Sequence, residues 1–153
     1  MTSYPPIADL LPHAAPMILL DRLLAHDSTR AVCEVTVREG MPFVQDHRVA
    51  TLVSLEYMAQ TVAAYAGYNG YLKGGAAPIG FLIGCRQLRS HRPYVAAGTT
   101  LTIEARHVWG DTALGTFACT ATLADGTPVA TATLSVLQSE PSEGLRGRAT
   151  VSE

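Results

Sequence analysis

Over residues 30–37 the chain reads Ala-Val-Cys-Glu-Val-Thr-Val after Arg30. Apolar and polar positions alternate there and β-branched residues are prominent, which predicts a strand. Gly40-Met41-Pro42 ends it. Residues 51–72 follow a different rule. Ala, Leu, Met and Gln dominate, and Thr51 or Ser54 stands where an N-cap belongs, so a helix is expected. Leu52, Leu55, Ala59, Val62 and Ala66 form one apolar face; Val53, Tyr57, Met58 and Ala64 carry it further round. A helix apolar nearly all round is a buried helix. Gly67, Gly70 and then Gly74-Gly75 are read as its stop.

From there the pattern is β-type. Segments 80–88, 99–109, 114–123 and 128–137 each read as a strand, with Leu101, Ile103 and Ala105 on one side and Thr102, Glu104 and Arg106 on the other. Pro93 and Gly98 fall in a loop, Gly110-Asp111 marks a turn, and Asp125-Gly126 is a strong hairpin signal. Ahead of the first strand, 7–11 is a short apolar turn, and Pro12-His13 leads into Met17-Ile18-Leu19-Leu20. Short links between consecutive strands favour antiparallel pairing. The expected fold class is therefore α+β, one long central helix wrapped by an antiparallel sheet of about five strands. One such sheet cannot cover the helix on every side, so a second copy or a partner is expected to help.

The length, 153 residues, suits one domain, placed at 1–139. Residues 140–153 hold Pro, Gly, Ser and mixed charges around two aliphatics and read as a disordered tail. Charged residues make up 16% of the chain, against a usual figure of about 25%. Together with 48% hydrophobic residues this excludes a disordered chain and again suggests covered surface. The net charge of −2 shows no basic excess for nucleic acid. Cys33, Cys85 and Cys119 lack metal spacing and fit free thiols in a reducing compartment, with Cys85 read as a small core residue. No charged leader or uninterrupted apolar span stands out, so a cytoplasmic protein is expected.

No GxGxxG, GxxxxGK[ST], HExxH or GxSxG is present, which leaves nucleotide, zinc-protease and α/β-hydrolase chemistry unsupported. Glu56 is the most informative residue, the only charge between Arg48 and Lys73. A carboxyl on a buried helix is a candidate general acid, since burial disfavours its anion; the plainer readings are a solvated spot or a pair with an arginine such as Arg86. Gln60, one turn on, shares its face and is placed either to orient the carboxyl or to bond backbone. His47, in the loop before the helix, is a candidate proton acceptor or a solvated loop residue. His13 reads as a packing residue, and His26, His91 and His107 as structural or exposed. Arg86, Arg89 and Arg92 are either solvated surface or a patch for an acidic partner.

Three motifs in order carry a resemblance. Leu11-Pro12-His13-Ala14-Ala15-Pro16-Met17-Ile18-Leu19-Leu20-Asp21-Arg22, Leu55-Glu56-Tyr57-Met58-Ala59-Gln60, and Gly84-Cys85-Arg86-Gln87-Leu88-Arg89 with Pro93 and Gly98 resemble the 3-hydroxyacyl-[acyl-carrier-protein] dehydratases. The likeness covers about 7–138 and is closest to the small dehydratase-like branch found with aryl-polyene pigment pathways. It implies the hotdog fold, a dimer whose active sites lie between subunits, and removal of water from a (3R)-3-hydroxyacyl thioester. By position it implies Glu56 as the catalytic acid and His47 as the base. It places His13, Gln60 and the backbone at Thr51 and Leu52 against the substrate, the last two as an oxyanion hole. It implies no metal and no cofactor beyond the phosphopantetheine arm of acyl carrier protein or coenzyme A. The family's histidine motif departs here: the Phe-Pro after His47 and the Pro-Gly before the helix are missing, and the spacing to Glu56 is shorter. Two alternatives therefore stand beside the dehydratase: a non-catalytic or half-catalytic subunit paired with another dehydratase, and a hotdog thioesterase.

Overall fold

The computed structural model describes residues 3–76, 78–111 and 113–139. Six strands form one antiparallel sheet: β1 (Arg22–His26), β2 (Arg30–Thr36), β5 (Ile79–Ser90), β7 (Thr100–Gly110), β8 (Leu114–Thr122) and β9 (Pro128–Ser139). Their order across the sheet is β1-β2-β7-β8-β9-β5. A small second sheet joins β3 (Val44–Gln45), β4 (Arg48–Ala50) and β6 (Tyr94–Ala96). Among the described residues there is one α-helix, α1 (Ser54–Leu72), which crosses the main sheet and is entered through a 3-10 turn at Thr51–Val53. This is the hotdog arrangement.

The main sheet has six strands where about five were expected. The extra one, β1, pairs antiparallel with β2 through a bulge between Leu23 and Ala25. The intervening turn is held by the Asp27 carboxylate, which accepts from the N–H groups of Thr29 (2.8 Å) and Arg30 (3.0 Å). The β8–β9 turn uses Asp125 the same way, accepting from Thr127 N–H at 2.9 Å, and Gly126 takes the positive φ of 88° that the turn requires.

Period-two alternation sends Leu101, Ile103 and Ala105 of β7 into the core, where they meet Val35 and Cys33 of β2 and the inward face of α1 at Tyr57, Met58 and Ala64. The buried Leu101, Ile103, Val35 and Met58 side chains each contribute about 1.5–3 kcal/mol relative to exposure. The helix does not stop at Gly67 or Gly70. Gly67 lies inside it because Leu10 crosses there; a Cβ would collide with the Leu10 carbonyl. The stop comes at Lys73, whose N–H donates to Gly70 C=O at 3.1 Å, with Gly74 at φ 73° and Gly75 N–H returning to the Gly70 carbonyl at 2.8 Å.

The helix packs mainly over β2, β7 and β8. Strand β5 is a sheet edge, with β9 as its one neighbour, and its Ile79, Phe81, Leu82 and Ile83 are exposed. Cys85 is exposed on this edge strand rather than in the core. All three cysteines are free. Among the described residues no helix is long and apolar enough to cross a membrane. The tail expected at 140–153 lies outside the described residues.

Candidate active site

Glu56 occupies the first turn of α1, where the helix dipole favours negative charge. Gln60, four residues on, lies beside it on the same face. The Gln60 amide nitrogen donates to Glu56 Oε1 at 3.0 Å and to the Met17 carbonyl at 2.7 Å, while its Oε1 accepts from Leu19 N–H at 3.0 Å. Gln60 thus pins the entry segment 12–20 across the start of the helix. That segment is shaped further by a turn in which Met17 N–H donates to Ala14 C=O at 2.9 Å, and by burial of Leu11, Leu19 and Leu20.

The segment delivers His13. Its Nε2 lies 3.8 Å from Glu56 Oε1, and both side chains keep partial solvent access. The other ring nitrogen, Nδ1, is buried with no hydrogen-bond partner among the described residues. Residues so far apart in sequence meet because the helix carboxyl and the entry segment share one anchor.

Both side chains stand at one end of a cavity of about 810 Å³ that runs along α1. Small residues, Ala59, Ala63, Ala66 and Gly70, form part of its helix wall beside Val62 and Tyr65, and Gly80, Leu82 and Val136 line the sheet side. From Glu56 to Lys73 the cavity follows about 25 Å of helix at 1.5 Å per residue. Its far end is polar, with Asn69, Lys73, His107 and Asp111. His107 was not singled out as a site residue. Its ring packs edge-on to Phe117 at 5.2 Å, and the signal was available: it continues the inward parity of Ile103 and Ala105.

The remaining sequence-derived positions stand elsewhere. Asp46 and His47 are the two central residues of the β3–β4 hairpin, with φ of 54° and 62° as such a turn requires. The His47 side chain is 88% exposed, its Nδ1 lies 2.6 Å from Glu39 Oε1, and it does not line the cavity. Thr51 is buried, and its N–H is already taken by the Pro93 carbonyl at 3.0 Å; Leu52 is exposed. Arg86 and Arg89 lie exposed on β5, with Arg92 just beyond it. The thiols of Cys33 and Cys119 are pushed up to about 12 by burial, which removes them as nucleophiles. Burial likewise pushes the Tyr57 hydroxyl up to about 12. Among the described residues no group of three or more His, Cys, Asp or Glu gathers in a way that would hold a metal.

The arrangement is an apolar groove with a carboxyl and an imidazole at one end, suited to proton transfer on a long apolar substrate. The family model described as ApeP dehydratase matches residues 5–146. A 3-hydroxyacyl-[acyl-carrier-protein] dehydratase FabZ of Thermus thermophilus is 37% identical over 139 residues, covering 86% of this chain and 94% of that protein. Among solved structures, the dehydratase heterocomplex ApeI:P of Xenorhabdus doucetiae superposes with a TM-score of 0.85 at 27% identity, over 94% of this chain and 97% of the other. A hypothetical thioesterase protein with coenzyme A from Streptococcus pneumoniae TIGR4 shares the fold alone, with a TM-score of 0.61 at 12% identity over 77% of this chain and 84% of the other.

Proposed function

This chain belongs to the ApeP-like dehydratase family, and on that premise we propose that Glu56 and His13 remove water from a (3R)-3-hydroxyacyl thioester carried on acyl carrier protein. The protein is a dehydratase-like lyase. The acyl chain lies in the groove beside α1. His13 Nε2 takes the C2 proton, the C2–C3 double bond forms, the C3–O bond breaks, and the Glu56 carboxyl proton leaves with the hydroxyl as water. The product is the trans-2-enoyl thioester. Imidazolium and carboxylate then stand 3.8 Å apart, and return of the proton from one to the other restores the starting pair. The carrying observation is that pair at the mouth of an apolar cavity.

A second reading is favoured by the orphaned His13 Nδ1. An imidazole acting as base at Nε2 needs an acceptor for its Nδ1–H, and none is present among the described residues. In this reading His13 only stands beside Glu56, at 3.8 Å, and the base comes from a second hotdog chain, homologous or identical. The apolar β5 edge supports such pairing, as does the likeness to a heterocomplex. His47, on its exposed turn, would then serve the partner's carboxylate. Arg86, Arg89 and Arg92 offer charge for an acidic carrier. With coenzyme A as carrier the chemistry is unchanged, and a cytoplasmic site of action follows from either carrier.

The test is hydration of a short trans-2-enoyl thioester, the reverse reaction, with the chain alone and co-expressed with a second dehydratase chain. Glu56→Gln should cost about 100-fold or more in both. His13→Asn should do the same if His13 is the base, and should leave most activity in the heteromer if the partner supplies it. Full activity in Glu56→Gln overturns both readings.

A further inference from the structure

We propose that the outer face of the main sheet, turned away from α1, receives a second copy of this chain sheet against sheet, with Trp109 of each copy over Gly84 of the other. The inference is independent of the catalytic assignment. It starts from what points outward. Strands β8 and β9 contain no charged residue. Their inward positions are core; outward they present Thr, Ser and Ala, with Leu114 and Leu137 at one end. An antiparallel sheet with one face in water ordinarily carries polar and charged groups on it. Among the described residues of these strands and their neighbours, the outward charges stand only on the flanks: Glu104 and Arg106 of β7, Arg86 and Arg89 of β5.

One end of this face is apolar. Leu114, Leu137 and Phe81 form a single cross-strand row over β8, β9 and β5. The next row runs from Trp109 through Thr116 and Ser135 to Gly84, with Ile83 in the adjoining bulge. The five large side chains are exposed, and Trp109, the only tryptophan of the chain, is 67% exposed. Between Trp109 and Ile83 the small Thr116 and Ser135 leave a cleft of about 470 Å³. Gly84 itself has no reason within one chain. Its φ lies outside the left-handed region, so the bulge does not demand glycine. An added Cβ would meet only the Ser135 Cβ at 3.9 Å, an ordinary contact. A strand glycine without such a reason marks a place that something else approaches closely.

A two-fold axis parallel to the strands, between β8 and β9, matches these features to themselves. It lays β8 on β9 of the other copy, neutral on neutral, and β7 on β5. Rows keep their order, so Leu114 meets Leu137, and Trp109 meets the end of the opposite row at Gly84 and Ile83. The indole fills the space that the glycine leaves. Arg86, Arg89 and the Glu104–Arg106 pair fall at the rim, where an interface keeps its charges. Four strands span about 19 Å and the nine residues of β8 about 30 Å, a flat area of about 600 Å² per copy. Side-chain relief raises this toward the roughly 800 Å² per partner of a standard interface. The β5 edge stays free for strand pairing.

The test reads Trp109 and the mass of the purified full chain together. In wild type, Trp109 should emit as a buried indole and resist quenching by acrylamide. Ala118→Lys places a cation beside the axis at a position already exposed in the single chain, and Gly84→Leu fills the space that receives the indole. Each should halve the mass measured by light scattering, expose Trp109 to acrylamide and leave the circular dichroism of the sheet unchanged. Ready quenching of Trp109 in wild type overturns the proposal, and does so even where neither variant folds. If quenching is then relieved only by anionic phospholipid vesicles, the face serves a lipid surface instead. A shielded Trp109 in an assembly whose mass neither folded variant changes also overturns it, and assigns the cover to another segment.

Discussion

Three residues show how local chemistry constrains this molecule. Gly67 is the contact point at which the entry segment crosses α1, and Gly67→Ala should lower stability by about 1–3 kcal/mol, as overpacked sites do, read as a fall in melting temperature. Cys33 and Cys119 are buried thiols pushed up to about 12, while Cys85 is exposed. A thiol reagent should leave the first two unmodified until the protein is denatured, and mass spectrometry of the labelled peptides reads this directly. His26 stacks on Tyr65 at 5.4 Å and meets Tyr68 edge-on at 4.6 Å, and burial lowers its proton affinity below the ordinary 6.5. The unfolded chain therefore takes up this proton at a higher pH than the folded one. The stability it contributes is whole above pH 6.5 and is lost as the pH falls below that value. In urea titrations between pH 7.5 and about 5, His26→Phe should flatten the decline seen in wild type; an unchanged slope would assign the decline to other groups. At this scale the sequence made Glu56 and its relation to Gln60 legible, because helical spacing alone puts residues four apart on one face. The meeting of His13 with Glu56 was not legible from spacing, since it depends on where the entry segment is pinned.

At the scale of elements, periodicity carried most of the fold. The strands read at 30–37, 99–109, 114–123 and 128–137 correspond to β2, β7, β8 and β9 within a few residues, and the helix read at 51–72 resolves into a 3-10 turn followed by α1. β1 was missed because Leu23-Leu24-Ala25 neither alternates nor carries a β-branched residue. The glycines inside α1 were misread as stops because close backbone approach, invisible in one sequence, is a second reason for glycine in a helix. β5 shows the limit of pattern in the other direction: its apolar run looks like a core strand, yet it is an exposed sheet edge. A long, apolar, unprotected edge is a surface for pairing with another chain. Phe81→Asp should therefore weaken the assembly, shifting the mass measured by light scattering toward the single chain. An unchanged mass would place the partner on another face.

For the whole molecule, low charge content and an open apolar edge fit pairing with a second chain. The helix lies mainly over β2, β7 and β8, and the far edge of the sheet, β5, has no strand on its outer side. The carboxyl, its amide clamp and the adjacent imidazole are already assembled within this one chain. The most direct test of the account is the rate of trans-2-enoyl thioester hydration by wild type and by Glu56→Gln, each as the purified assembly with folding verified. The account predicts hydration by wild type and a loss of about 100-fold or more in the variant. Equal rates in the two would contradict it.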